Sequence, residues 1–135
     1  MFNKTTKQAI RALIELAKLP SGQWEGAREI ATRIKAPQNY LGKLLQHLSS
    51  AKVVVSKKGL KGGFCLGKKP EKITLYEVAL YLNHIDEWTQ CVVASKKCSN
   101  TAVCTVHEQW KDICQNQIDF LKKTTIADLI SNERK

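Results

Sequence analysis

The fold is decided by residues 37–66, which read PQNYLGKLLQHLSSAKVVVSKKGLKGGFCL. Pro37 stands where a proline can open a helix, and the leucines after it recur at helical spacing. Four of them are expected to form the buried stripe of that helix: Leu41, Leu44, Leu45 and Leu48. The β-branched run Val53-Val54-Val55 predicts a strand, and Phe64-Cys65-Leu66 predicts the strand that returns beside it. The stretch therefore predicts a helix followed by a β-hairpin with a glycine-rich and lysine-rich tip.

Two further helices are expected before this stretch. Residues 5–18 have apolar side chains at helical spacing, and the Pro20-Ser21-Gly22 sequence ends that helix. Residues 26–35 carry a second apolar stripe of the same kind. The order helix, helix, helix, strand, strand is that of the winged helix-turn-helix fold, in which the third helix enters a major groove of DNA. We expect residues 1–72 to form such a domain, with the β-hairpin as its wing.

The second half of the chain is predicted to be helical around one irregular segment. Thr74 and Glu77 have the spacing of a capping box at the start of a helix that ends near Leu82. Residues 83–104 show no sustained periodicity. A second capping box, Thr105 with Glu108, predicts a long helix to about Lys123, and a short helix or turn is expected over Ile126 to Ile130.

The long helix, residues 105–123, has too much apolar surface to stand alone. We expect it to pack on the same helix of a second copy and form a homodimer; packing back on its own domain is the alternative. The predicted fold class is mainly α with a small β-wing, a winged helix-turn-helix domain plus a long dimerisation helix. The predicted division is 1–72 for DNA binding and 73–135 for metal binding and dimerisation.

Charge is distributed unevenly along the chain. Residues 1–72 hold 15 basic and 4 acidic side chains, whereas residues 73–135 hold 7 basic and 8 acidic ones. Such a basic module suits a polyanion. Unbroken apolar runs are only a few residues long, and the charged start of the chain is typical of an amphipathic helix rather than a signal peptide. We therefore expect a cytoplasmic protein with double-stranded DNA, and no membrane, as its partner.

The candidate DNA contacts lie at the start of the third helix and in the wing. Gln38 and Asn39 carry amides that suit adenine edges, and Tyr40 and Lys43 are base or phosphate contacts of the same helix. In the wing, three lysines are expected to contact the backbone or the minor groove: Lys57, Lys58 and Lys61. A homodimer would place two third helices in successive major grooves of a pseudo-palindromic operator, with steep salt dependence.

Four potential metal ligands lie close together in the sequence. Cys91, Cys98, Cys104 and His107 have the spacing Cys-x6-Cys-x5-Cys-x2-His. Thiolates and imidazole bind iron–sulfur clusters and zinc alike. The N-terminus of the long helix presents free N–H groups and a partial positive charge, which would stabilise thiolates and an anionic cluster there.

Nearly the whole chain carries patterns of one protein family. The most specific is the wing, Ser56-Lys57-Lys58-Gly59-Leu60-Lys61-Gly62-Gly63-Phe64. Weaker patterns lie in the helices: Ala9-Ile10-Arg11-Ala12-Leu13, Asn39-Tyr40-Leu41, Ile73-Thr74-Leu75 and Thr125-Ile126-Ala127-Asp128-Leu129. The chain resembles the Rrf2 family of bacterial winged-helix transcriptional regulators. One departure is Lys58, where relatives usually carry an arginine, because lysine lacks the bidentate fork.

The resemblance also implies a cofactor. IscR-like and NsrR-like members bind an iron–sulfur cluster through three cysteines, and IscR-type members add a histidine three residues after the last. Carried over, these ligands are Cys91, Cys98, Cys104 and His107, although the first spacing is one residue longer than expected. Other members take an acidic ligand from the partner subunit, but that position here is Lys7, which cannot bind iron. His107 is thus the better fourth ligand, and [2Fe–2S] is favoured over [4Fe–4S].

The predicted function is a transcriptional regulator whose operator affinity depends on this cluster. The alternative is a constitutive or thiol-responsive regulator with structural zinc or no metal. His84 is an alternative ligand, while Cys65 and Cys114 are interpreted as packing residues. No Cys-x-x-Cys pair, catalytic Ser/His/Asp set or phosphate-binding loop is present. Neither an enzyme activity nor a small-molecule substrate is therefore expected.

Overall fold

The fold is mainly helical with a small β-wing, as the sequence predicts. The computed structural model describes residues 3–20, 22–82 and 107–133. Its elements, in chain order, are α1 (Lys4–Ala17), α2 (Ala27–Ile34), α3 (Gln38–Ser50), β1 (Val54–Lys57), β2 (Gly63–Leu66), a 3₁₀ turn (Pro70–Lys72), α4 (Leu75–Leu82), α5 (His107–Lys123) and α6 (Ile126–Glu133).

The first three helices pack around an apolar core. All four predicted leucines of α3 are buried, together with Leu13 of α1 and Ile30 of α2. The helix begins one residue later than expected, because Pro37 has an extended backbone (ψ 129°) and precedes the first helical residue. The predicted apolar stripes are therefore confirmed, and they fix how α3 is oriented.

The wing is a two-stranded antiparallel hairpin. Its register pairs Val54 with Leu66 at one end and Lys57 with Gly63 at the other. The first strand starts at Val54 rather than at the predicted Val53, which is fully buried in the core just before it. Val53 and Val54 are buried in the core, whereas Val55 is exposed. The start of the hairpin is thus anchored in the hydrophobic core.

A short bridge fastens the wing to the body of the domain. The amide of Glu25 donates to the carbonyl of Phe64 (3.0 Å), and the amide of Phe64 donates to the carbonyl of Glu25 (2.7 Å). Glu25 lies just before α2, so this pairing holds β2 in a fixed position relative to the helix-turn-helix. No local sequence pattern predicts this contact.

Two of the helices after the wing, α4 and α6, begin at side-chain caps. The Thr74 hydroxyl accepts a hydrogen bond from the amide of Glu77 (3.1 Å), as the predicted capping box requires. A second box, which the sequence analysis missed, starts α6: the amide of Thr125 donates to the Asp128 carboxylate (2.9 Å). The predicted Thr105–Glu108 box lies partly outside the described residues.

The C-terminal part of α5 packs back on its own chain. Leu121 is fully buried in the same core as Leu13. This end of the helix therefore packs on its own domain, which is the alternative expectation. Ile113 and Phe120 remain about half exposed, so α5 still presents apolar surface.

No helix among the described residues is both long enough and apolar enough to cross a membrane.

Candidate nucleic-acid interface and ligand segment

The start of α3 presents polar side chains to solvent. Gln38, Asn39 and Lys43 are all exposed. They project there because the leucines of α3 occupy the opposite side of the helix, in the core. A Cβ at Gly42 would make an ordinary contact with Ala27 of α2, at 3.9 Å. α2 therefore lies directly against this side of α3, as in a helix-turn-helix.

These side chains and Phe64 of the wing line one open groove. The groove has a volume of about 570 Å³, and its walls include Gln38, Asn39, Lys43 and Phe64 of β2. Phe64 is the residue that the bridge to Glu25 holds in place. The structure thus brings the predicted α3 contacts and the wing to the same face of the protein.

The wing lysines are exposed and have few acidic neighbours. Lys57, Lys58 and Lys61 all lie on the surface of the hairpin, and the sequence from Lys52 to Lys69 contains no acidic residue. Lys57 Nζ lies 5.7 Å from the centroid of the Trp24 ring, a cation–π contact that orients this lysine. The three charges therefore remain available to phosphate groups.

Tyr40, the fourth predicted contact in α3, is engaged within the protein. Its side chain is half-buried, and its hydroxyl donates a hydrogen bond to Thr5 Oγ1 in α1. The hydroxyl is thus directed to α1, and Tyr40 connects the start of α3 to the start of α1. Sequence reasoning missed this role, because the Thr5 contact joins residues that are distant in the chain.

Arg33 belongs to an internal ion pair network rather than to the basic surface. Its guanidinium binds the carboxylate of Glu25 and lies 3.4 Å from that of Glu15. The hydrogen bond to Glu25 is the main cause of the raised pKa of Arg33. Both carboxylates neutralise this arginine, and the network helps to fix α2 against α1.

Three of the four predicted metal ligands lie outside the described residues: Cys91, Cys98 and Cys104. His84 and Thr105 of the predicted Thr105–Glu108 capping box also lie outside them. His107 is the first residue of α5. Among the residues that the structure does describe, no three His, Cys, Asp or Glu side chains are grouped as a metal site. The four-ligand set therefore stays a prediction.

The two remaining cysteines are described. Cys114 is buried in α5, in agreement with its interpretation as a packing residue. Cys65 is half-buried in β2, and burial raises the pKa of its thiol. A raised pKa lowers the fraction of thiolate, which is the form that binds metals and reacts with oxidants. These two residues are therefore suitable controls for the cysteines of the 91–104 segment.

A helix-turn-helix joined to a fastened β-wing, with exposed amides on α3 and exposed lysines in the wing, defines a winged-helix DNA-binding protein. The chain matches the sequence model of the Rrf2 family, described as an iron-dependent transcriptional regulator, over residues 2–132. It belongs to that family. The predicted family and fold are therefore confirmed, and the protein is a DNA-binding transcriptional regulator rather than an enzyme.

Individual relatives support this assignment. A protein of Aquifex aeolicus, named only as an HTH-type transcriptional regulator, is 37% identical over all of this chain and 94% of its own length. The transcriptional regulator IscR of Sodalis glossinidius is 29% identical over 94% of this chain and 76% of its own.

Solved structures share the fold. CymR, the global cysteine regulator of B. subtilis, superimposes with a TM-score of 0.83 at 25% identity, covering 98% of this chain and 97% of its own. IscR of T. potens superimposes with a TM-score of 0.77 at 19% identity, covering 98% and 88%.

Proposed function

We propose that this regulator binds a pseudo-palindromic operator with an affinity that an iron–sulfur cluster controls. The observation that carries the proposal is the donor set: three thiols and one imidazole fall within residues 91–107 of a chain whose family is described as iron-dependent. The proposed ligands are Cys91, Cys98, Cys104 and His107. Thiolate and imidazole donors fit an iron–sulfur cluster, and a histidine ligand favours the [2Fe–2S] type.

The start of α5 supports this assignment. His107 is the first residue of a 17-residue helix, and the first N–H groups of a helix carry partial positive charge. Anions and thiolates are stabilised at such an end. A cluster bound there would supply a redox-active and chemically labile iron centre. The protein itself would supply the ligands and the helix, α5, at whose start the cluster binds.

A chain of described contacts connects the ligand segment to the recognition helix. The carbonyl of Leu82, the last described residue before that segment, accepts a hydrogen bond from Asn3 Nδ2 (3.0 Å). Asn3 Oδ1 in turn accepts from the amide of Thr6 (2.7 Å) and so caps α1. Thr5, in the same first turn, accepts the hydroxyl hydrogen bond of Tyr40 at the start of α3. We infer that binding of the cluster by residues 91–107 biases α3 through these contacts.

The apolar surface left on α4 and α5 supports a homodimer. Ile113 and Phe120 lie seven residues apart on α5, which places them on the same side of the helix, and each is about half exposed. Leu80 and Tyr81 of α4 are exposed to a similar degree. Pairing these surfaces between two copies would bury them and set the distance between the two α3 helices.

Sedimentation analysis should therefore show that the wild-type protein is a dimer. Phe120→Glu should weaken that dimer, because it places a charge on the paired apolar surface.

Replacing Tyr40 with phenylalanine should reduce the coupling while leaving the fold intact. The change removes only the hydroxyl that binds Thr5, and such a hydrogen bond contributes about 1 kcal/mol. We expect the ratio of operator affinities between cluster-loaded and cluster-free protein to fall about fivefold towards unity. Anaerobic titrations of a labelled operator duplex would measure that ratio.

Tyr76→Phe is the matched control, because the Tyr76 ring meets Lys122 Nζ at 4.9 Å and a phenyl ring keeps that contact. It should leave the ratio unchanged. If Tyr40→Phe instead weakened both forms equally, Tyr40 would be a direct DNA contact and not a link to α1. Tyr40→Phe with wild-type affinities in both forms would show that the Tyr40–Thr5 hydrogen bond does not couple the cluster to α3.

The cluster itself is tested by purifying the protein without exposure to air. An iron–sulfur protein is coloured and absorbs above roughly 400 nm, with iron and sulfide in comparable amounts. A protein with structural zinc would be colourless and would contain zinc. Absence of iron after anaerobic reconstitution with iron and sulfide would exclude the proposed cofactor.

A second candidate function is regulation through thiols without a cluster. The likeness to CymR, a regulator named for cysteine, favours it. In that case the same cysteines would change the DNA affinity by becoming oxidised. A colourless and iron-free protein whose operator affinity changes with a thiol oxidant would support this candidate.

A further inference from the structure

Leu60 occupies the most exposed position of the wing. The amide of Gly62 donates to the carbonyl of Gly59 (3.1 Å), so residues 59–62 form a tight turn with Leu60 and Lys61 at its two central positions. Leu60 is fully exposed, at 108% of its reference area. Its side chain therefore contributes nothing to the core, and its apolar character is available to a partner.

The charges around Leu60 indicate what kind of partner that is. The segment from Lys52 to Lys69 contains six lysines and no acidic residue. Lys57, Lys58 and Lys61 surround the turn and are exposed. An apolar side chain flanked by exposed lysines suits a surface that is anionic at its rim and apolar within, as a DNA groove is between its phosphate chains.

The position of the wing also selects the minor groove. Phe64 of the hairpin, which pairs with Ser56 next to the turn end, lines the same groove of the protein as Gln38 and Lys43 of α3. With α3 in a major groove, a hairpin beside it reaches the flanking backbone, where the minor groove follows. That groove is about 6 Å wide, which admits a single side chain or a tight turn but not a helix.

We propose that Leu60 is a minor-groove wedge. Its side chain contacts sugars and base edges and partly opens one base step, while Lys57, Lys58 and Lys61 bind the phosphates on either side. Proteins that insert an apolar side chain in this way bend the duplex. The inference rests on DNA binding by this winged-helix fold and does not depend on the iron–sulfur cluster.

The test compares Leu60→Ser with the wild-type protein on one duplex, selected by the wild-type protein from a random-sequence library. We expect the variant to bind about tenfold more weakly and to bend the duplex less, as measured by energy transfer between labels at its two ends. The slope of log affinity against log salt should not change, because no charge is lost. Leu60→Met should keep both affinity and bend.

Lys61→Gln, in the same turn, is the matched control. It should lower the salt slope by about one phosphate contact and leave most of the bend. Both variants should unfold at the wild-type temperature, because neither side chain is buried.

Wild-type affinity and bend in Leu60→Ser would overturn the proposal and would point to a protein partner for the wing tip. A reduced salt slope in Leu60→Ser would also overturn it, since the loss would then be electrostatic. The comparison is made on cluster-loaded and cluster-free protein alike. Equal wild-type affinities of those two forms would defeat cluster control and leave the Leu60 result standing.

Discussion

Replacing Cys98 with serine is expected to abolish iron binding and, with it, the difference in operator affinity between loaded and unloaded protein. A serine hydroxyl is not deprotonated at neutral pH and does not replace a soft thiolate ligand. Coupling of this kind typically changes affinity about 5- to 150-fold, and the whole of that difference should vanish. The loss of iron is measured by visible absorption and iron content. The loss of the affinity difference is measured by anaerobic DNA titrations.

The cysteines outside the segment provide the controls. Cys65→Ser alters a half-buried thiol in the wing whose pKa is raised by burial, so it should keep both the absorption and the coupling. Cys114→Ser places a hydroxyl at a buried position and should cost about 1–3 kcal/mol of stability without loss of iron. Full iron content in Cys98→Ser would contradict the proposed ligand set.

Replacing Gly63 with alanine is expected to detach the wing from the domain. Gly63 has a φ of 142°, and a Cβ there would lie 2.5 Å from the backbone of Glu25. The clash falls at the bridge between Glu25 and Phe64, so the bridge must break. We expect the free energy of unfolding to fall by about 2 kcal/mol or more. DNA affinity should fall at least about tenfold, because the wing lysines lose their fixed position beside α3.

Gly59→Ala is the control that separates the cost of the clash from the cost of the left-handed backbone conformation. Gly59 also has a positive φ (110°), but a Cβ there would meet nothing within 4 Å. Its replacement should cost only the left-handed conformation, about 1 kcal/mol. Thermal unfolding and DNA titration of the two variants give the comparison. Equal losses would show that the contact with Glu25 does not hold the wing.

Local patterns were enough to predict the fold. The leucine spacing of α3 fixes which side of the helix is buried, so it also fixes that Gln38, Asn39 and Lys43 face solvent. The glycines of the wing were visible as a motif, and the structure gives their reason: a Cβ at Gly62 would lie 2.1 Å from the carbonyl oxygen of Lys57. The backbone of the hairpin passes too close for any side chain.

Contacts between distant parts of the chain could not be predicted in this way. Asn3 binds Leu82 across 79 positions, and Tyr40 binds Thr5 across 35. Neither pair leaves a periodic signal, because each depends on how the packed helices meet. For the same reason the place of Tyr40 in α3 predicts a DNA contact, whereas its hydroxyl bonds to Thr5 of α1. Leu60 is part of the wing motif, but only its full exposure in the structure identifies it as a candidate contact residue.

The central claim is tested most directly by one anaerobic titration. A labelled operator duplex, selected from a random library, is titrated with fully iron-loaded protein and with the same preparation after the iron is removed. Cluster control predicts affinities that differ by at least about fivefold, and a difference that disappears in Cys98→Ser. Equal affinities of the two wild-type forms, with iron content verified in the loaded sample, would contradict it.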